Sequence, residues 1–265
     1  MKLFFTLALG YTSFLASQSL VLATPAPFTS VHPLKINSSS IATTTPNVSF
    51  VPPPPPSSGR PGGRVRGGAK RGTCPNVKPE LTALVPFTEE ASITDVWGLT
   101  TEARPTLLFY VPYSQKDQYP TEFILQDQQS NPIYQKAIAL PNRPGVISIS
   151  LPADAPALAL DQEYRWFLTI YCDPEKQSPP IYVEGVIKRV VLNAETTQQL
   201  KTASVLEKFA IYAKNGIWHE ASVTLAQLRQ QNPQDQAIET QWKNLLASIR
   251  LDDIAPQPII TSKPE

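Results

Sequence analysis

Imidazole is scarce in this 265-residue chain, which carries two histidines. His32 lies in a stretch of Pro, Ser and Thr. His219 stands beside Trp218 where a helix is expected to begin, and a first-turn position predicts an exposed ring. No HExxH, GxSxG or SxxK occurs, which removes the usual zinc and serine hydrolases. The acidic pairs Glu89-Glu90 and Asp252-Asp253 read as solvated carboxylates of loops or caps. A glycosidase needs two opposed carboxylates across a cleft, and adjacent ones do not supply that geometry. The expectation is a protein without catalytic residues, metal ligands or a cofactor.

Two cysteines remain, Cys74 and Cys172, and they form no CxxC redox or metal motif. In an oxidising compartment they are expected to pair, closing a loop of about a hundred residues; by the chain-entropy model that contributes about 4 kcal/mol. The alternative is two buried thiols. The compartment is suggested by Met1 to Ala23, which has one charge at Lys2, an apolar run to about Leu15 and small residues at Val21-Leu22-Ala23. That is the pattern of a cleaved signal peptide, and the run is too short to span a bilayer; the alternative is an uncleaved anchor, because Leu20, Val21 and Leu22 extend the apolarity. The mature chain is then expected to be periplasmic or extracellular and not transmembrane.

Charge is divided along the chain. Of the 23 Lys and Arg, eight precede Glu80 with no acid among them, which leaves fifteen against all 22 acids from residue 80 onward. Within the basic part, GRPGGRVRGGAKRG (Gly59 to Gly72) resembles the Arg-Gly segments of RNA-binding proteins. Export argues against nucleic acid. The cations Arg60, Arg64, Arg66, Lys70 and Arg71 would instead meet an acidic polysaccharide, an acidic envelope protein or the chain's own acidic body, or would simply be solvated. The segment lacks the GK[ST] of a phosphate loop.

Those residues need elements to position them. Residues 24–72 are rich in Pro, Ser, Thr, Gly and Arg, with Pro52 to Pro56 in a row, and too poor in apolar side chains to offset the entropy of ordering. They read as a disordered spacer after the leader of residues 1–23. Residues 73–193 read as a sandwich domain. Its strands are expected at Leu81 to Val85, Ile93 to Trp97, Thr106 to Val111, Glu122 to Gln126, Ile133 to Leu140, Val146 to Leu151, Glu163 to Cys172 and Tyr182 to Leu192. In EYRWFLTIYC, Tyr164, Trp166, Leu168, Ile170 and Cys172 share one face. From Ile181 on, the odd positions Ile181, Val183, Ile187 and Val191 share another. Eight short strands without helices between them argue for an immunoglobulin- or fibronectin-like sandwich. Trp97, Phe109, Tyr110, Tyr113, Tyr119 and Tyr134 cluster in its first half. Phe109 and Tyr110 face opposite sides, so one of them could be exposed to stack on a sugar or anchor a peptide, the alternative being that most of these aromatics are core.

After Asn193 the apolar period lengthens to about 3.6, and helices are expected at Glu195 to Lys214, Ile217 to Gln231 and Gln234 to Arg250 within a second domain, residues 194–251. Ile238, Trp242, Leu245, Leu246 and Ile249 share one face of the last, with Asn232-Pro233 as its cap and first turn. Gly216 can take the left-handed conformation that ends a helix. Tyr212, Gly216, Trp218, Ala221, Leu225 and Pro233 fall in the register of the second half of a tetratricopeptide repeat, which the stretch resembles. Val205, Lys208 and Phe209 depart from that repeat's first half. Such hairpins bind proteins, so Tyr212 and Trp218 either close the hairpin or contact a partner. The hairpin is expected to pack on the sandwich or on a partner, because one repeat cannot bury its faces alone. Residues 252–265 read as an extended tail. The fold class expected is α+β: a sandwich followed by a tetratricopeptide-like hairpin and a third helix.

Taken in order, GRPGGRVRGGAKRGTC, LTALVP, RPTLLFYVPYS, YRWFLTIYCDP, VEGVIKRV, YAKNGIWHEASVTLAQLRQQNP and LDDIAPQPI resemble the cyanobacterial secreted family known as domain of unknown function 928, over about Gly59 to Ile260. The resemblance implies a cyanobacterial envelope or periplasmic protein and carries no reaction and no functional residues with it. The function expected is a non-enzymatic interaction or scaffolding role whose partner is an envelope protein or an acidic polysaccharide. The alternative is a protein that binds or acts on carbohydrate through the sandwich aromatics.

Overall fold

Alternating apolar side chains from Leu81 to Arg189 fold into two facing sheets. The computed structural model describes residues 48–54, 62–67, 73–90 and 93–260. The strands are β1 (Arg66–Gly67), β2 (Leu81–Ala83), β3 (Phe87–Glu90), β4 (Ile93–Thr100), β5 (Thr106–Val111), β6 (Thr121–Gln126), β7 (Pro132–Ala137), β8 (Gly145–Ser150), β9 (Glu163–Ile170) and β10 (Ile181–Arg189). The helices are α1 (Ala194–Thr202), α2 (Val205–Lys214), α3 (Trp218–Gln231) and α4 (Gln236–Ala247). The four-stranded sheet runs β1-β2-β5-β8 and the six-stranded sheet β3-β4-β10-β9-β6-β7. Pairing is antiparallel except for β4 and β10, which run parallel with Trp97 opposite Val186. The chain is thus α+β with a β-sandwich-like core.

The core sits where β5 faces β9 and β6. Trp166, Leu168 and Ile170 of β9 are buried, while Arg165, Phe167 and Thr169 are half-buried, as the alternation requires. The Trp166 indole meets the Phe109 ring edge-on at 5.5 Å, and Phe109 meets Phe123 at 6.2 Å. Tyr110 points away from Phe109 yet is buried too, because α3 packs against β5 from the other side. Neither of the pair is exposed, in line with the core alternative: the four-stranded sheet is covered on both faces. Val191, expected inside, is 71% exposed, since β10 ends at Arg189 and the chain leaves the sheet.

On the helical side, the single helix expected over Glu195 to Lys214 is two. Ala203 is extended, and Ser204 opens α2 with a capping box: its Oγ accepts from Glu207 N while Glu207 Oε2 accepts from Ser204 N at 2.7 Å. Gly216, at φ 71°, ends α2, with Ile217 N donating to Tyr212 O at 3.0 Å. The cap of α4 is Asp235, which accepts from Ala237 N and Ile238 N, not Asn232. Ile238, Trp242, Leu245, Leu246 and Ile249 are buried along one face, as their spacing predicts.

Both flanks expected to be free lie on this body where they are described. Val48 and Phe50 are buried against the helices, and residues 62–67 pair with β10 and β2. The spacer reading is corrected at these positions: Val48, Phe50 and Val65 are apolar anchors, and Gly63 lies so close to Val96 and Glu184 O that no larger residue fits. The tail is corrected as well. Ile254 and Ala255 are buried, the Trp242 indole donates to Ala255 O at 3.1 Å, and Ile259 pairs in parallel with Val146 along the outer edge of β8.

Cys74 and Cys172 form a disulfide with a sequence separation of 98, tying the start of the sandwich to the end of β9. Replacing both by Ser should leave the fold intact and lower its unfolding free energy by about 4 kcal/mol, read from urea titrations of tryptophan fluorescence. An unchanged urea midpoint would contradict the loop-closure account.

Candidate functional site

The first turn of α3 brings the chain's chemistry-bearing side chains to one place. Trp218 is fully buried, and its Nε1 donates to Leu84 O at 2.7 Å, fastening the helix to the turn after β2. His219 is 2% exposed, against the expectation of an exposed ring. It turns inward because the first turn of α3 lies against β4, where the ring faces Gly98. Its Nε2 is buried without a hydrogen-bond partner, and burial pushes its pKa down to about 3. The ring is shielded from solvent, and its burial favours the neutral form.

Glu220 reaches back over the end of β4. Its Oε1 accepts from Thr100 Oγ1 at 2.5 Å, Thr101 N at 2.9 Å and Glu102 N at 3.1 Å, while Oε2 is buried without a partner. Burial raises the pKa of this carboxyl, and those hydrogen bonds oppose the rise. Arg189 holds the same loop from the other side, donating to Thr101 O and Leu158 O. Chemically the cluster is a clamp that organises residues 100–102.

One member of each acidic pair, Glu89 and Asp253, is ion-paired where solvated carboxylates were expected. Arg66 makes a two-pronged bridge to Asp253 at 2.7 and 2.8 Å, and Arg250 reaches Glu89 at 3.3 Å. Asp253 holds the Arg66 guanidinium above its ordinary pKa. Arg64 lies over the Tyr182 ring at 4.6 Å and exchanges two backbone hydrogen bonds with Glu184. Two of the five basic candidates thus lie against the chain's own body. Arg60, Lys70 and Arg71 fall outside the described residues, as do His32 and the leader.

Of the aromatic candidates, Trp97, Phe109, Tyr110 and Tyr113 are buried, and Tyr119 and Tyr134 are half-buried. Tyr119 borders a shallow cleft of about 380 Å³ with Glu122, Leu140 and Lys176. Tyr212 is half-buried on α2. Among the described residues no three His, Cys, Asp or Glu side chains converge to hold a metal ion, and no helix is long and apolar enough to cross a membrane.

The helices also hold a stretch of the chain's own backbone. Residues 48–54 lie across α2, α3 and α4 outside any helix or strand. Val48 and Phe50 point in, while Ser49 and Val51 point out. Phe50 meets the Trp218 ring edge-on at 4.8 Å, Val51 N donates to Ala213 O at 3.1 Å, and Val48 N donates to the buried side chain of Gln241 at 3.3 Å. Pro53 rests on Gly216, where a side chain would crowd it.

Sequence reasoning missed Glu220 and this docked segment. A glutamate in a first helical turn is expected anyway for the helix dipole, so nothing marks Glu220 as special. Val48, Phe50 and Val51 did leave a signal: an apolar triplet in an otherwise polar spacer.

The sequence matches the model of the family described as Domain of Unknown Function (DUF928) over residues 66–259. The chain belongs to this family. The match runs from β1 to the C-terminal pairing with β8, spanning both the sandwich and the helices. No curated protein matches significantly. Among solved structures, the soluble domain of PmoD from Methylocystis sp. ATCC 49242 aligns with 43% of this chain and 94% of its own, at 10% identity and a TM-score of 0.27. A β-glucuronidase from Parabacteroides merdae aligns with 68% of this chain and 29% of its own, at 12% identity and a TM-score of 0.25. Similarity at that level carries no argument about fold or activity.

Two substitutions separate the roles of the clamp. Glu220→Ala takes the acceptor from four donors, of which Glu102 N keeps a second acceptor in Thr100 Oγ1, and should cost about 2–4 kcal/mol, whereas Glu220→Gln keeps the acceptor and should stay within about 1 kcal/mol of the parent at pH 7. His219 has a folded pKa of about 3 against an ordinary 6.5. It gains its proton only on unfolding, so its contribution is full above pH 6.5 and falls by about 1.4 kcal/mol per pH unit towards pH 3. Glu220 acts with the opposite sign, its raised pKa favouring the fold at low pH and losing that contribution as pH rises through the folded value. Urea melts of His219→Phe and the parent at pH 7 and pH 5 should differ in slope accordingly; parallel curves would contradict the neutral buried ring.

Proposed function

We propose that the chain is a non-enzymatic interaction module of the cyanobacterial periplasm or cell envelope, exported by its leader, with the groove across α2, α3 and α4 as its binding face. The observation that carries this reading is the segment Val48–Pro54 seated in that groove. It is held by an aromatic contact and by backbone donors to Ala213 O and Gln241 Oε1. Supporting it, the side chains suited to acid-base chemistry are engaged internally: His219 is shielded, Glu220 clamps a loop, and Glu89 and Asp253 pair with arginines. Backbone-mediated seating of an extended segment is how many peptide grooves work, with side-chain pockets at alternate positions supplying specificity. The disulfide accords with an oxidising compartment. Contact of Arg60, Lys70 and Arg71 with an acidic polysaccharide remains part of the proposal.

The carbohydrate alternative draws on one feature, the cleft beside Tyr119, Glu122 and Lys176. Tyr119→Ala should abolish glycan retention if that cleft binds sugar and leave it unchanged otherwise.

For the principal reading, the full chain is immobilised and exposed to envelope extract in its parental form and as Phe50→Ala, which uncovers the groove. The variant should retain one or more envelope proteins at least several-fold better than the parent, and a peptide of residues 46–56 should displace them. Equal recovery by both forms, with no effect of the peptide, would contradict it.

A further inference from the structure

The segment in the groove has the chemistry of a ligand and is supplied by the same chain. Its inward side chains are Val48 and Phe50, and the next residues are prolines. The groove is built for that pattern. Trp218 presents a ring face, Ala213 an acceptor near the end of α2, Gln241 a buried amide oxygen, and Gly216 the space that Pro53 needs. The segment joins neither sheet, and every contact named here runs between residues 48–53 and residues 213–241.

We propose that this groove accepts the Val48–Pro54 segment of a second copy, so that the protein associates by reciprocal exchange of its N-terminal arms. The inference rests on the groove being a binding face. Because an arm from a neighbouring copy offers identical atoms, closed and exchanged forms differ only in how the arm is tethered, and their balance is set by effective against actual concentration. The sequence weights that balance towards exchange. The described arm ends in Pro52, Pro53 and Pro54, and a run of prolines is a semi-rigid extended spacer that turns back poorly on itself. Each copy carries one groove and one arm, so a pair closes with two equivalent contacts and no unpaired surface left on the helices.

Two measurements on the full chain decide the matter. A fluorescent peptide of residues 46–56 is titrated into the Phe50→Ala chain and the parent. It should bind the variant at least tenfold more tightly, and the same peptide carrying Phe50→Ala should bind neither. The parent is then examined by native mass spectrometry as two mass-labelled populations mixed over a range of concentrations. Mixed dimers should grow with concentration and be absent from the Val48→Ala, Phe50→Ala double variant. If the peptide binds and the parent stays monomeric throughout, the exchange inference falls while the groove remains a binding face. If the peptide does not bind a Phe50→Ala chain with parental near-ultraviolet circular dichroism, both fall. Should that variant fail to fold, a protease site placed between Pro56 and Gly59 of the parent replaces it. After cleavage the N-terminal piece should exchange with added labelled peptide, and a piece that neither leaves nor exchanges overturns the proposal.

Discussion

A carboxylate shielded from water persists in a fold only if the protein replaces the hydrogen bonds that water made. Glu220 does this with one oxygen, accepting from the hydroxyl of Thr100 and the amides of Thr101 and Glu102. The contact links α3 to the end of β4, and the Trp218 indole links the same helical turn to Leu84 after β2. Between them lies His219, too deeply buried to carry a charge. These three consecutive residues hold the helices on the sandwich, so the surface that the helices offer is fixed relative to the sheets. The groove for residues 48–54 inherits that rigidity through Trp218, which faces Phe50 with its ring and Leu84 with its nitrogen.

The division of charge along the sequence acquires a physical meaning in the same frame. The basic N-terminal part is drawn onto the acidic body at two described points, Arg66 on Asp253 and Arg64 beside Tyr182 and Glu184. Exposed pairs of this kind contribute little individually, though a two-pronged arginine bridge has the best geometry among them. Their effect is to set register: β1 pairs with β2, and the C-terminal residues run along β8. Arg66–Gly67 and Ile259 thus both lie on the four-stranded sheet, which Phe109 and Tyr110 show to be buried on both faces.

Much of this was legible in the sequence because it rests on local periodicity. The alternation in EYRWFLTI, the apolar stripe of α4, the Gly216 terminus and the disulfide all follow from residue type and spacing. The Ser204-x-x-Glu207 box that divides α1 from α2 was legible too, but the continuing helical pattern hid it. Other features depend on distant neighbours. His219 is inside because β4 lies against α3, Val191 is outside because β10 has already ended, and Phe50 is buried because Trp218, 168 residues further along the chain, accepts it. No window along the chain contains both partners of such contacts, so periodicity alone could not reveal them.

Native-state hydrogen exchange tests most directly whether the helices and the sandwich stand or fall together. Amides of Leu225 and Ala226 in α3, Phe109 in β5 and Leu168 in β9 are followed through increasing urea. If the first turn of α3 fastens the helices to the sheets, all four should open with one free energy and one urea dependence, the signature of a single cooperative unit. Helical amides that open at a lower free energy, with a shallower urea dependence than those of β5 and β9, would contradict the account.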